Sequence, residues 1–288
     1  MDTLQRFSFE HAPVRGEVVH LSTTWQQVLR RHDYPPLVRR VLGEFFAASA
    51  LLSATLKFSG SMVMQARSSG PIKLMVVECT SDGDMRAVAQ WENIPDNAPL
   101  SDLFGSGRLV ITIDPHDSRE RYQGIVELSG NSVAEVLEHY LRHSEQLSTN
   151  LWLAADRRQA SGVLLQRLPE QVYDDEDTWQ RAVLMTNTLS ERDLFSLSAE
   201  KLIRQLYRSD DVRLYQPSAI RFQCSCTRSK VENVLRMLGY DEVQSILAEQ
   251  QSVRVNCEFC NERYRFDSVD VEQLFHPGPT LGGSAIRH

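Results

Sequence analysis

Four of this chain's five cysteines fall within 37 residues, as Cys224-Ser225-Cys226 and Cys257-Glu258-Phe259-Cys260. Four thiolates converging on one point make a closed metal site, and the same thiols can oxidise to two disulfides. A C-x-x-C knuckle is common among structural zinc sites. A C-x-C partner, with one residue between ligands, is much rarer, so the two spacings together say more than either alone. The plain alternatives are four reduced structural cysteines, or a zinc ion that only folds a small module.

The 288 residues suggest about two domains. Apolar content of 42% and charged content of 24% belong to an ordinary globular protein. A net charge of −7 argues against a nucleic-acid binder, which usually shows a basic stripe. The cysteine segment is not basic either, since residues 221–288 hold 8 Arg/Lys against 9 Asp/Glu. The first ten residues show no signal-peptide pattern, and the most apolar stretch, 45–56, is about half the length that crosses a bilayer. A cytoplasmic protein with no membrane contact is therefore expected. In a reducing compartment, clustered cysteines favour metal or redox chemistry over a disulfide framework.

Residues 1–169 alternate strand signals with helices. Helices are expected over 23–31 and 36–56, the second opened by Pro35-Pro36 and lined with Ala47, Ala48, Ser49, Ala50, Ser53 and Ala54. Those small residues predict a helix that crosses the core in close contact with its neighbours. Strands are expected over 62–66, 72–79, 85–91, 108–113 and 122–128, the first three joined by turn residues as antiparallel hairpins. An amphipathic helix over 131–144 has Ser132 and Glu135 as a capping box. Strands at 151–155 and 163–168 complete the domain. No βαβα rhythm appears, so the class is α+β, with antiparallel strands and a buried helix.

Residues 170–218 read as a helical linker. An acidic run, Glu170 and Asp174–Asp177, precedes two helix patterns. Trp179, Val183 and Leu189 mark one, and Leu202, Ile203, Leu206 and Tyr207 the other. The segment is too short and acidic for its own core, so its anchors Trp179, Val183, Leu202, Ile203 and Leu206 must dock on a neighbouring surface. Residues 219–288 read as a small α+β zinc module. Ser229 and Glu232 suggest a capping box for a helix ended by Gly239, and 241–249 a second helix. Strands 253–256 and 264–266 flank the Cys257–Cys260 turn, where Asn261 suits a left-handed position. A disordered tail is expected after Phe275.

Zinc binds thiolates, and structural zinc supplies about 10–16 kcal/mol in small finger peptides. A module with so little apolar surface should unfold without its metal. Four sulfur ligands leave no open position for hydrolytic chemistry, so sulfur itself is the reactive element. A C-x-C disulfide closes a strained ring that is easily reduced again. The spacing supports a reversible switch, zinc-bound when reduced and metal-free when oxidised.

The pattern Cys224-x-Cys226…Cys257-x-x-Cys260 resembles the bacterial 33 kDa chaperonin, a redox-regulated holdase of the heat-shock response. The likeness extends to Asp241-Glu-Val-Gln-Ser-Ile-Leu-Ala-Glu249, Ala12-Pro-Val-Arg-Gly-Glu17, Leu51-Leu-Ser-Ala-Thr-Leu-Lys-Phe58 and Glu120-Arg-Tyr-Gln-Gly124, nearly the whole chain. The resemblance implies one zinc ion per chain on Cys224, Cys226, Cys257 and Cys260 while reduced and inactive. It implies disulfides Cys224–Cys226 and Cys257–Cys260 in an active, ATP-independent chaperone that is usually a homodimer. It also implies an unfolded linker, client binding by the amino-terminal domain, and release of clients to ATP-dependent foldases.

Two other classes use the same residues. A thiol-disulfide oxidoreductase would employ Cys257-x-x-Cys260, but such motifs usually open a helix beside a βαβ unit. A zinc-ribbon nucleic-acid-binding regulator would need a basic surface. Elsewhere, Cys79 reads as a small buried hydrophobe, and His139 and His143 as solvated surface despite their i, i+4 spacing. Gly105-Ser-Gly107 precedes a strand and is a turn. No catalytic residue is identified, and the chain is expected to act by binding rather than as an enzyme.

Overall fold

The computed structural model of the chain describes residues 2–56, 59–116, 120–169 and 176–276. It divides into two units, Met1–Gln223 and Cys224–His288. The larger runs β1 (Thr3–Phe9), β2 (Val14–Leu21), α1 (Thr23–Leu29), α2 (Pro36–Thr55), β3 (Gly60–Ser68), β4 (Ile72–Thr80) and β5 (Asp84–Trp91). It continues through α3 (Leu100–Phe104), β6 (Gly107–Pro115), β7 (Tyr122–Glu127), α4 (Val133–His143), β8 (Thr149–Ala155) and β9 (Ala160–Arg167). Helices α5 (Glu176–Thr186), α6 (Glu191–Ser196) and α7 (Ala199–Leu206) follow, then β10 (Val212–Leu214), β11 (Ser218–Ala219) and β12 (Arg221–Phe222).

Two sheets result. The first has the order β10-β1-β2-β9-β8 with β11 also on β1, and the second β12-β5-β4-β3-β6-β7. Their pairings are antiparallel except β12 on β5. The expected α+β class is therefore the observed one. Helix α2 lies in the main core, which draws on both sheets through residues such as Val19, Leu164, Met62 and Met75. Its small residues serve the close approach anticipated for them. Ala47, Ala48, Ser49 and Ala50 are fully buried, and a Cβ on Gly43 would collide with that of Ala155.

The first sheet is covered on both faces. Neighbouring strand residues point to opposite sides, so Val19 and Leu164 enter the main core while Val18, Val163 and Leu165 enter a second one. That second core joins Phe7, Phe9 and Val14 to Leu194, Leu202, Ile203, Leu206 and Tyr207. Hydrogen bonds from Trp152 Nε1 to Asn187 Oδ1 (3.0 Å) and between the Thr186 and Tyr207 hydroxyls (2.6 Å) reinforce it. Seven of the eight residues of β9 are buried. A run of that kind normally marks a strand packed on both faces.

The structure departs from the sequence reading in several places. Strands β1 and β2 were not anticipated. Among its described residues the 170–218 segment holds three helices rather than two patterns, and its later residues form β10 and β11 on β1. Leu189 lies beyond α5, although it still packs on the second core. Ser132 accepts from the amide of Glu135 as expected, while the Glu135 carboxylate returns to the amide of Asn131 (2.8 Å). The first part of the acidic run, 170–175, and the tail expected to be disordered, 277–288, lie outside the described residues.

The smaller unit holds α8 (Arg228–Leu238), α9 (Tyr240–Gln250), β13 (Val253–Asn256), β14 (Arg263–Phe266) and α10 (Ser268–Phe275). The cap of α8 is not Ser229. Thr227 accepts from the amide of Lys230 (3.2 Å), and Glu232 instead pairs with Arg228 (3.4 Å). Gly239 ends the helix with φ +94°, a conformation that favours glycine. The core is small: Val231, Leu235, Val243, Leu247, Val253, Phe266, Val271 and Leu274.

Candidate metal centre

Local structure explains why the sulfurs meet. The β13–β14 hairpin turns through Cys257–Cys260, closed by the amide of Asn261 on the carbonyl of Cys257 (2.8 Å) and that of Cys257 on the carbonyl of Glu262 (2.9 Å). Asn261 has φ +60°, the left-handed conformation expected from its position. Cys224 and Cys226 lie on the irregular segment leading into the Thr227 cap.

The four Sγ atoms lie within 4.8 Å of one another. Cys224 and Cys257 are 3.7 Å apart, and Cys226 and Cys260 are 3.3 Å apart. Four sulfurs at the usual zinc distance of about 2.3 Å would stand about 3.8 Å from each other. The residues thus fit one tetrahedral ion. None of the five cysteines is in a disulfide. Burial pushes the Cys257 thiol up from its ordinary pKa, while the amides of Cys260 and Phe259 pull it back. Burial likewise raises Cys260, against the amide of Glu262. Thiols crowded this closely resist joint ionisation, and a cation among them relieves that resistance. With four protein ligands no coordination position is left for substrate.

One neighbour escaped the sequence reading. The Tyr264 hydroxyl donates to the Sγ of Cys226 (3.2 Å). Its only sequence signal is an aromatic residue four positions past the second knuckle cysteine.

The residues expected to anchor a linker occupy two grades of burial. Leu202, Ile203 and Leu206 are buried in the second core, while Trp179 and Val183 pack at its margin. Cys79 is buried and bonded to the Ser53 hydroxyl (3.2 Å), and burial pushes its thiol up to about 11. His139 and His143 are exposed on α4, and the four-cysteine cluster is the metal-ligand grouping found among the described residues. Gly105 turns the chain ahead of β6 with φ +52°. No helix among the described residues is long and apolar enough to cross a membrane.

The profile of the family described as Hsp33 protein matches residues 2–267. A protein named 33 kDa chaperonin from Methylobacillus flagellatus is 48% identical, covering 100% of this chain and 99% of the relative. Proteins of the same name from Azotobacter vinelandii and Nitrosococcus oceani are 45% and 44% identical, each over 100% of this chain and 99% of the relative. The crystal structure of the 33 kDa chaperonin (heat shock protein 33 homolog) from Thermotoga maritima superposes with a TM-score of 0.81 at 21% identity. The superposition covers 94% of this chain and 97% of that one, a likeness of fold.

Proposed function

The chain belongs to the Hsp33 family, and on that premise we propose that it is a redox-regulated molecular chaperone, a holdase that binds unfolding proteins without ATP. The observation that carries the reading is the convergence within 4.8 Å of four sulfurs, none of them in a disulfide. Cys224, Cys226, Cys257 and Cys260 would hold one zinc ion in the reduced, inactive protein. Bound there, the ion supplies a crosslink that a core of eight buried side chains does not. Oxidation to Cys224–Cys226 and Cys257–Cys260 would remove all four ligands and unfold the module. The chain's own response then lies in residues 170–218, directly upstream. With a folded boundary lost behind them, Leu202, Ile203 and Leu206 would leave the first sheet and bare an apolar surface for clients.

The oxidised form is expected to be a homodimer and to pass clients to ATP-dependent foldases in the cytoplasm. It works by binding rather than catalysis, with neither nucleic acid nor membrane as partner. An oxidoreductase gains little from the geometry, because Cys257 sits in a hairpin turn and not at a helix N-terminus. The test is aggregation of an unfolding client without ATP, scored with zinc content before and after peroxide treatment. Suppression only after oxidation supports the proposal. Equal activity in both states ends the regulatory claim, and none in either ends the chaperone claim. Catalytic insulin reduction would favour the oxidoreductase instead.

A further inference from the structure

The hydroxyl of Tyr264 stands 3.2 Å from the Sγ of Cys226 and points its proton at it. The ring is half-buried on β14 against the smaller unit's core, so packing as well as the sulfur holds the hydroxyl in place. Cys257 and Cys260 are approached differently, by the backbone amides of Phe259, Cys260 and Glu262. Those amides come from the knuckle's own fold and no side-chain substitution removes them. Tyr264 is a side chain whose donor can be deleted while its ring stays.

We infer that Tyr264 is a positioning residue for the thiol switch, acting through Cys226 as a brake on its oxidation. The inference rests on the redox reading above and deepens it. Hydrogen peroxide is taken by a sulfur lone pair: the thiolate attacks one peroxide oxygen, the O–O bond breaks, hydroxide leaves and a sulfenic acid remains. A neighbouring thiolate then attacks that sulfur, expels a second hydroxide and forms the disulfide. Two thiolates lose two electrons, peroxide gains them, and both hydroxides are protonated to water. An O–H held on Cys226 draws on the lone-pair density that the first attack needs. Hydrogen bonds to charged groups are among the stronger ones in proteins, so removing this one should be measurable in rate. A donor bonded to a metal's ligand also keeps that ligand oriented, so the same bond should register in the metal's spectrum.

The experiment compares the reduced, zinc-loaded full chain with Tyr264→Phe and with Tyr240→Phe. Tyr240 is a tyrosine of the same unit whose hydroxyl donates to Glu272 (2.6 Å), so it controls for loss of a hydroxyl away from sulfur. Each protein is mixed with peroxide while zinc release is followed, and each cysteine's oxidation is read by thiol labelling and mass spectrometry. Tyr264→Phe is expected to oxidise Cys226 and release zinc roughly 3- to 10-fold faster, with Tyr240→Phe at the wild-type rate. In cobalt-loaded protein, the sulfur-to-metal charge-transfer band of Tyr264→Phe should move to lower energy, a shift a merely structural role would not produce. An unchanged or slower Cys226 rate in Tyr264→Phe, or an unmoved cobalt band, overturns the inference. If the wild type itself keeps its zinc in peroxide, the redox reading fails and takes the inference with it, a result distinguishable because all three proteins would behave alike.

Discussion

In the larger unit Trp25, Phe45, Phe46 and Phe104 are all buried at 1% exposure or less, in a core fed by two sheets and α2. In the smaller unit Phe266 is the one aromatic buried to that degree, among seven aliphatic side chains. Fully burying a large apolar side chain contributes about 1.5–3 kcal/mol, and ordering a residue's backbone costs about 1–2 kcal/mol. The larger unit has apolar area to set against its ordering cost. The smaller one has little, and under the proposed function a metal on its four sulfurs would supply the missing crosslink. Chain length therefore does not tell how a region is stabilised, and the two units should answer differently to the same treatments.

The sharpest way to break this contrast is removal of metal from the reduced protein by a chelator. A structural zinc is worth about 10–16 kcal/mol in finger peptides, so α8 and α9 should lose amide protection while β2, β9 and α2 keep theirs. Hydrogen exchange reads both units in one sample. Continued protection of Val231–Leu235 after the metal has gone would show the small core to be sufficient.

A second contrast lies inside the larger unit, between its main core and the linker core. Leu202→Ala with Ile203→Ala removes two fully buried anchors, each worth about 2–5 kcal/mol. The reduced, zinc-loaded double variant should become protease-sensitive within 176–206 and partly active. Trp179→Ala with Val183→Ala, at the margin of the same core, should do so less. A protected linker and a silent protein in both would make the segment a passive tether.

The third test uses pH. Glu17 is buried on β2, where burial outweighs Arg15 and Arg6 and pushes its carboxyl from 4.5 up to about 7. A raised carboxyl pKa means stability that is full below pH 4.5 and lost as pH rises through 7. Glu44 on α2, also raised to about 7 by burial, works in the same window. Glu17→Gln should stabilise the larger unit by about 2–3 kcal/mol at pH 8 and hardly at all at pH 4.5. Denaturant melts at both pH values would detect it, and an equal effect at both would mean that Glu17 does not titrate between them.

The smallest expected effect is at the α8 cap. Thr227→Ala should cost about 1 kcal/mol, visible as a lower midpoint of the smaller unit only, while Ser229→Ala should be nearly neutral. The reverse ranking would restore Ser229 as the cap.

Much of the site was legible because its signals are local. Two cysteine pairs, an asparagine for a left-handed turn and a glycine at a helix end act within a few residues of themselves. Helix α6 was legible and overlooked, since Ser190 and Asp193 form a capping box, each bonding the other's amide. The Ser229–Glu232 pattern misled because it has the spacing of a capping box. Thr227, two residues earlier and next to Cys226, starts the helix instead. Strands β1 and β2 were hidden for another reason. Polar residues such as Gln5, Glu17 and His20 interrupt their alternation, and β1 finds one of its partners at Val212–Leu214, two hundred residues away.

The sequence by itself determined the four clustered cysteines, the buried helix with its small residues, the α+β class and the apolar stripes of residues 179–207. Each is written in spacing and composition that any fold must respect. Tertiary structure alone decided what the stripes lie on, that β9 is enclosed on both faces, and that Tyr264 reaches Cys226. Those outcomes depend on which distant surfaces meet. A strand's two faces are both candidates for burial until a second layer arrives, and a hydroxyl has no assigned acceptor until a hairpin brings one within 3.2 Å.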